Sequence, residues 1–262
     1  MNVPIRMLGI ATTIFWIILV AFIASAAYSI KDLNFNFGEP QFTTTSNNDL
    51  LLSLPLYIDN RGYYSLKAFN LTTVFSDAEG VEISRASTFV PVLPQGHKTT
   101  ILHNATLNMA SLSGNAQYLF NDSDLTIAVT AGLNFAELLP VELSTNFSYP
   151  WGAPFYDFAV GQPQYSRLNL SHTRVIAPLS FENHAAFDQS GNIRIKLYDS
   201  ADSLLGESQT VFAVPRYSSF ADDAEFSIPS RTVNLSAQRS GHFEVYISTA
   251  MFEYGPLVIP YG

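Results

Sequence analysis

Two stretches 123 residues apart carry the same pattern of side chains, which restricts the chain to architectures built from two like units. Phe35-Asn36-Phe37-Gly38-Glu39-Pro40-Gln41-Phe42 returns as Phe158-Ala159-Val160-Gly161-Gln162-Pro163-Gln164-Tyr165. At the same offset, Leu54-Pro55-Leu56-Tyr57-Ile58-Asp59-Asn60 returns as Ala177-Pro178-Leu179-Ser180-Phe181-Glu182-Asn183. Leu52, Leu54, Leu56 and Ile58 alternate with Ser53, Pro55, Tyr57 and Asp59, and Val175, Ala177, Leu179 and Phe181 alternate in the second copy. Successive side chains of a strand point to opposite faces, so this period of two predicts a half-buried strand in each copy. Pro55 and Pro178 fall on the outward face. A proline lacks the N–H that a central ladder needs, so each predicts an edge strand or a bulge.

Further along, Leu125, Ile127 and Val129 match Phe243, Val245 and Ile247, again alternating. Each copy closes on Pro-aromatic-Gly: Pro150-Trp151-Gly152, then Pro260-Tyr261-Gly262 where the sequence stops, which predicts two whole units. Short β-type runs lie between, at residues 71–75, 88–93, 193–198 and 209–214, punctuated by turn clusters at 76–80 and 199–203. Many short strands at regular spacing predict an all-β fold of two tandem sandwiches. The units are residues 32–152 and 153–262, meeting at Gly152-Ala153-Pro154, with a short helix expected at 134–139 in the first unit alone.

Residues 1–31 are a different kind of segment. Residues 7–30 contain no charge, and 24 residues of helix span about 36 Å, enough for a hydrocarbon core of about 30 Å. A cleaved signal peptide competes, because Ala24-Ser25-Ala26 is an A-x-A site. The apolar run ahead of that site is longer than the h-region of a signal, which favours a retained single-pass transmembrane anchor. Arg6 on one side outweighs Lys31 on the other only through the adjacent terminal amine, which orients the chain N-in and C-out. Acceptor sequons at Asn70, Asn104, Asn121, Asn146, Asn169 and Asn234 agree with an extracellular, glycosylated location at the cell membrane.

Composition narrows the chemistry. A net charge of −9 with no basic run longer than His97-Lys98 excludes nucleic acid as a partner, since phosphate recognition needs Lys and Arg patches. Without cysteine there is no disulfide framework and no thiolate site. The acidic pairs Asp77/Glu79 and Asp199/Asp202 sit at matching hairpins; two carboxylates each fall short of a calcium shell, and solvated turn residues are the expected reading. His97, His103, His172, His184 and His242 show no ligand spacing and read as scattered surface or loop residues. No G-x-S-x-G, S-x-x-K, H-E-x-x-H, G-x-G-x-x-G or P-loop pattern occurs. The expectation is a protein that is not an enzyme, with no catalytic residue, cofactor or metal. A carboxylate pair brought together by the fold is the remote alternative. The aromatic run at 149–156 reads as the joint between the units rather than a ligand platform.

The repeated pattern is similar to the late embryogenesis abundant type 2 family, also called the water stress and hypersensitive response domain. Gly38, Pro40, Phe42, Leu56, Asn60 and Asp77 match its motif in the first copy, and Gly161, Pro163, Tyr165, Leu179, Asn183 and Asp199 in the second. The resemblance implies an immunoglobulin- or fibronectin III-like sandwich, no enzyme activity, and membrane-anchored relatives in archaea as well as plants. It carries no functional residues. The expected function is a membrane-anchored cell-envelope binding or scaffold protein that contacts a surface layer, a pilus or motor component, or another membrane complex. A stress-protective or lipid-interacting role is the alternative. The second unit has fewer sequons, so the partner contact is expected there, with Tyr254 and Tyr261 of the apolar terminal run as candidate interface residues.

Overall fold

The computed structural model describes residues 3–136, 138–230 and 240–262. It opens with helix α1 (Val3–Lys31), in which Thr12–Lys31 is long and apolar enough to cross a membrane. Eight strands follow: β1 (Leu33–Phe37), β2 (Gln41–Thr44), β3 (Leu50–Asn60), β4 (Leu66–Ser76), β5 (Glu82–Leu93), β6 (His97–Leu107), β7 (Ser123–Phe135) and β8 (Leu139–Trp151). Helices α2 (Met109–Ser113) and α3 (Gln117–Phe120) lie between β6 and β7. One sheet places β3 between β6 and the pair β1/β2; the other runs β5-β4-β7-β8. Leu56, Ile58 and Ile101 of the first sheet meet Leu66, Phe69 and Leu71 of the second in a shared core, so the two sheets form a sandwich.

The second set repeats this order: β9 (Tyr156–Val160), β10 (Gln164–Arg167), β11 (His172–Asn183), β12 (Gln189–Asp199), β13 (Leu204–Val214), β14 (Ser218–Pro229), β15 (Gly241–Thr249) and β16 (Glu253–Tyr261). β11 lies between β14 and the pair β9/β10, facing a sheet ordered β13-β12-β15-β16. The chain is therefore two immunoglobulin/fibronectin III-like sandwiches in tandem behind one apolar helix. The alternating sets land inward: Leu56 and Ile58, like Val175, Ala177, Leu179 and Phe181, are buried.

Two local expectations are corrected. Pro55 and Pro178 are not on edge strands but on the central strands β3 and β11. The neighbouring strand is broken at that level, since β1 stops with Phe37 opposite Leu56 and β2 begins with Gln41 opposite Ser53. In the gap, Gly38 N–H donates to the Pro55 carbonyl at 2.8 Å, and Gly161 N–H to the Pro178 carbonyl at 2.7 Å. The missing proline N–H faces an interruption, where no ladder partner goes unsatisfied. No helix forms among the described residues of 134–139: β7 runs through Phe135, Ala136 turns with φ 50°, and β8 starts at Leu139. Pairing of Leu133 with Val141 and Phe135 with Leu139 overrides the local helix propensity. The helical turns of this unit are α2 and α3, where the Asn108 side chain accepts from Ser111 N–H as an N-cap.

The repeated asparagine has a structural task. Asn60 Nδ2 donates to the carbonyls of Tyr64 and Leu93, and Asn183 Nδ2 to those of Phe187, Val214 and Pro215. Both side chains are buried, pinning the end of the central strand to the following loop and to the strand leaving the opposite sheet.

Candidate functional site

Three places combine unusual side-chain chemistry with position: the two ends of the first sandwich and a cleft along one of its sides. At the helix end, α1 is docked against the sandwich. Ser29 Oγ accepts from Tyr63 N–H at 2.8 Å, and Ser25 Oγ lies 2.6 Å from the Tyr64 hydroxyl. Phe22, Tyr64 and Phe135 stack edge to face in sequence, at 5.9 and 5.5 Å. Ala26 and Ser29 are buried, and a Cβ on Gly62 would collide with Ser29, so only glycine permits this approach.

The opposite end holds the second sandwich. Phe155 N–H donates to the Leu119 carbonyl across the joint; beside it Trp151 Nε1 donates to the Tyr118 carbonyl within the first sandwich and His184 N–H to the Ala153 carbonyl within the second, all at 2.9 Å. Phe155 is fully buried among Phe181, Phe212 and Phe252 of the second sandwich and Phe120 of the first. Gly152 sits so close to the His184 carbonyl that a Cβ would overlap it. The aromatic run at 149–156 therefore lies in this joint, and one continuous core contains residues of both sandwiches.

At the surface of the joint His184 bridges the units. Its Nδ1 is 2.8 Å from Asp122 Oδ2 of the first sandwich, its Nε2 is 2.8 Å from Glu182 Oε2, and its ring stacks on Tyr156 at 4.2 Å. Partial burial disfavours the charged ring, but the hydrogen bonds to Asp122 and Glu182 outweigh it and raise the His184 pKa. Both ring nitrogens face carboxylates. The charged form donates to both acids. This contribution is complete below the unfolded histidine value of about 6.5 and is lost as pH rises through the higher folded value. Both acids are about half exposed, so screening keeps it to roughly 1 kcal/mol or less. The expected result is a melting temperature that falls from pH 6 to pH 9 more steeply in the native chain than in His184→Gln. Parallel curves would show that the bridge adds nothing.

The remaining candidates are placed as follows. Tyr261 is buried, its hydroxyl donating to the Tyr198 carbonyl at 2.8 Å and its ring packing on Phe243, and burial holds its phenol well above the usual range. It closes the second sandwich. Tyr254 packs on Phe120 across the joint at 5.3 Å. Asn70, Asn104, Asn121, Asn146 and Asn169 are exposed, while Asn234 lies outside the described residues. Asp77 and Asp199 accept backbone N–H groups within their own turns, at Val81 and at Ala201 and Ser203. No group of three or more metal-ligating side chains occurs among the described residues. The histidines are less uniform than their spacing suggests. His103 is buried, its Nε2 bonded to Thr73 and its Nδ1 to Thr88, and burial lowers its pKa.

Along one side the first sandwich is open. Phe35 and Phe37 of β1 face Val141, Leu143 and Phe147 of β8 across a cleft with lobes of about 280 and 470 Å³. Leu71 and Val129 belong to both lobes. No sequence pattern announces it. The available signal is length: 21 residues separate Val129 from Trp151, against 13 between the matching Ile247 and Tyr261.

Comparison with known proteins adds little beyond this geometry. The ApaA protein of Bordetella pertussis is similar over 47% of this chain and 94% of its own, at 14% identity and a TM-score of 0.31. Red sea bream transglutaminase aligns over 88% of this chain and 31% of its own, at 15% identity and 0.30. A β-glucuronidase of glycoside hydrolase family 2 aligns over 81% and 24%, at 9% identity and 0.32. The chain thus spans less than a third of either enzyme, and none of these likenesses bears on activity or partners. No family model and no curated protein matches the chain.

Proposed function

We propose that this is a non-catalytic, membrane-anchored cell-envelope protein of late embryogenesis abundant type 2 character, which holds a binding sandwich at a fixed distance from the bilayer. The observation that carries the reading is the placement of the two joints. α1 docks where Phe135 pairs with Leu139, and the second sandwich docks where Ser123 pairs with Trp151. Those are opposite ends of one thirteen-residue strand pair, about 40 Å apart. Both joints are packed rather than linked by loose chain, so the second sandwich is presented, not tethered. The burial of Ala26 and the packing of Phe22 and Ser25 on Tyr64 support a retained helix, because cleavage after the A-x-A site would remove these three residues. Exposed sequons on both sandwiches support an outward orientation.

Extraction of the native chain in mild detergent, followed by affinity capture and cross-linking, tests this. A stoichiometric envelope protein cross-linked to residues 153–262 is expected, and protease on intact cells should reach everything beyond Lys31. A chain that migrates alone without cross-links would refute the scaffold role. Protection of the C-terminal part until lysis would reverse the orientation.

A further inference from the structure

The two copies of one fold provide an internal control on the cleft. In the register of the strand pairs, Leu125, Ile127 and Val129 of β7 stand where Phe243, Val245 and Ile247 of β15 stand. Their β8 partners Tyr149, Phe147 and Thr145 then correspond to Ile259, Leu257 and Tyr254 of β16. In the second sandwich these positions are half-buried or better, as are Phe158 and Val160 of β9 opposite them. In the first, Phe37 is 59% exposed and Phe147 48%. The same architecture is closed in one copy and open in the other.

The hairpin of the first copy is also longer. β7 and β8 have thirteen residues each, β15 and β16 nine each, so the difference is four residues per strand, about 13 Å. The added length bears Leu133, Leu139, Val141 and Leu143 on the cleft side, with Leu138 in the turn, and Leu143 is 72% exposed. It is added at the helix end. Leu138 N–H bonds to the Phe135 carbonyl, Phe135 packs on Tyr64, and Tyr64 packs on Phe22 of α1. The larger lobe shares Leu56, Phe69 and Leu71 with the core cluster that contains Ala26 of α1.

We propose that this cleft takes up one hydrocarbon chain of a bilayer lipid, admitted at the helix end beside the hairpin tip; the inference rests on the reading of α1 as a membrane anchor. Its walls and floor are apolar except for Ser144 and Thr145 at the rim of one lobe and Thr73 and His103 in the other, and Thr73 and His103 are bonded to each other. A peptide in the floor would need partners for its own N–H and C=O groups, whereas a hydrocarbon chain needs none. The combined volume falls in the range of small-molecule sites. An apolar surface of this kind left to water is unusual for a monomer, and beside a membrane its natural cover is lipid.

The test uses the full chain in phosphatidylcholine vesicles carrying a trace of phosphatidylcholine with a diazirine at the end of one acyl chain. After illumination and digestion, label is expected on residues 33–37 and 139–147 as well as on α1. In the double variant Phe37→Lys with Leu143→Lys, both exposed positions, the cleft label should fall about tenfold while melting temperature and α1 labelling hold. Label confined to α1 overturns the cleft proposal and leaves the anchor standing. Undiminished cleft label in the double variant, or β8 cross-linked to β8 of a second copy in place of lipid, also overturns it. Absence of label from both regions overturns the anchor reading itself.

Discussion

Leu179→Asp is expected to unfold the second sandwich, and Leu56→Asp the first. Each leucine is 1% exposed on a central strand. Leu179 sits between Val160 and Asp222 in the register of β11, with its side chain in the core. A carboxylate there has neither water nor a cation, and burying it unpaired costs several kcal/mol even after its pKa rises. That matches the whole margin of about 5–15 kcal/mol by which a domain of this size stays folded. Circular dichroism on heating, with limited proteolysis to identify the digested half, is the measurement. Either variant melting within a few degrees of the native chain would show that the strand face is not the core.

The second large effect belongs to the joint. Phe155→Ala removes a fully buried ring that touches aromatic side chains of both sandwiches, and should cost about 3–5 kcal/mol. Because Phe155 N–H also bonds to the Leu119 carbonyl, the loss should spread into the first sandwich. Hydrogen exchange should therefore speed up at residues 117–125 as well as in β9 and β11. If exchange rises only in the second sandwich, the joint is a contact between independent units and not a shared core.

Much of the fold was legible because strand faces write themselves into sequence with a period of two. Leu56, Ile58, Leu179, Phe181, Phe243 and Val245 are buried as their alternation requires. Turn clusters at Asp77 and Asp199 end strands because their side chains cap the turn backbone. What could not be read depends on neighbours distant in sequence. Pro55 looks like an edge residue until the break between β1 and β2 is placed beside it. Residues 134–139 look helical until β7 and β8 pair. His103 and His184 look alike in sequence, yet one is enclosed by two threonines and the other bridges carboxylates 62 positions and two positions away. The cleft is a relation between two edges, β1 and β8, that are separated by a hundred residues and never pair.

The placement of the joints also fixes how the molecule carries a mechanical load. A pull on the second sandwich reaches the first through Trp151, the last residue of β8, and is directed along that strand. Ladder hydrogen bonds in an antiparallel pair run perpendicular to the strands, and β8 is matched to β7 at thirteen consecutive positions. The pull therefore shears those positions together instead of unzipping them one at a time. At the other end, the force leaves through Leu33 at the start of β1, where five paired positions with β3 are sheared in the opposite sense. Because α1 is docked on Tyr63 and Tyr64, tension reaches β1 only once those contacts part; the five-position strand then shears before the thirteen-position pair, which widens the side of the sandwich it borders.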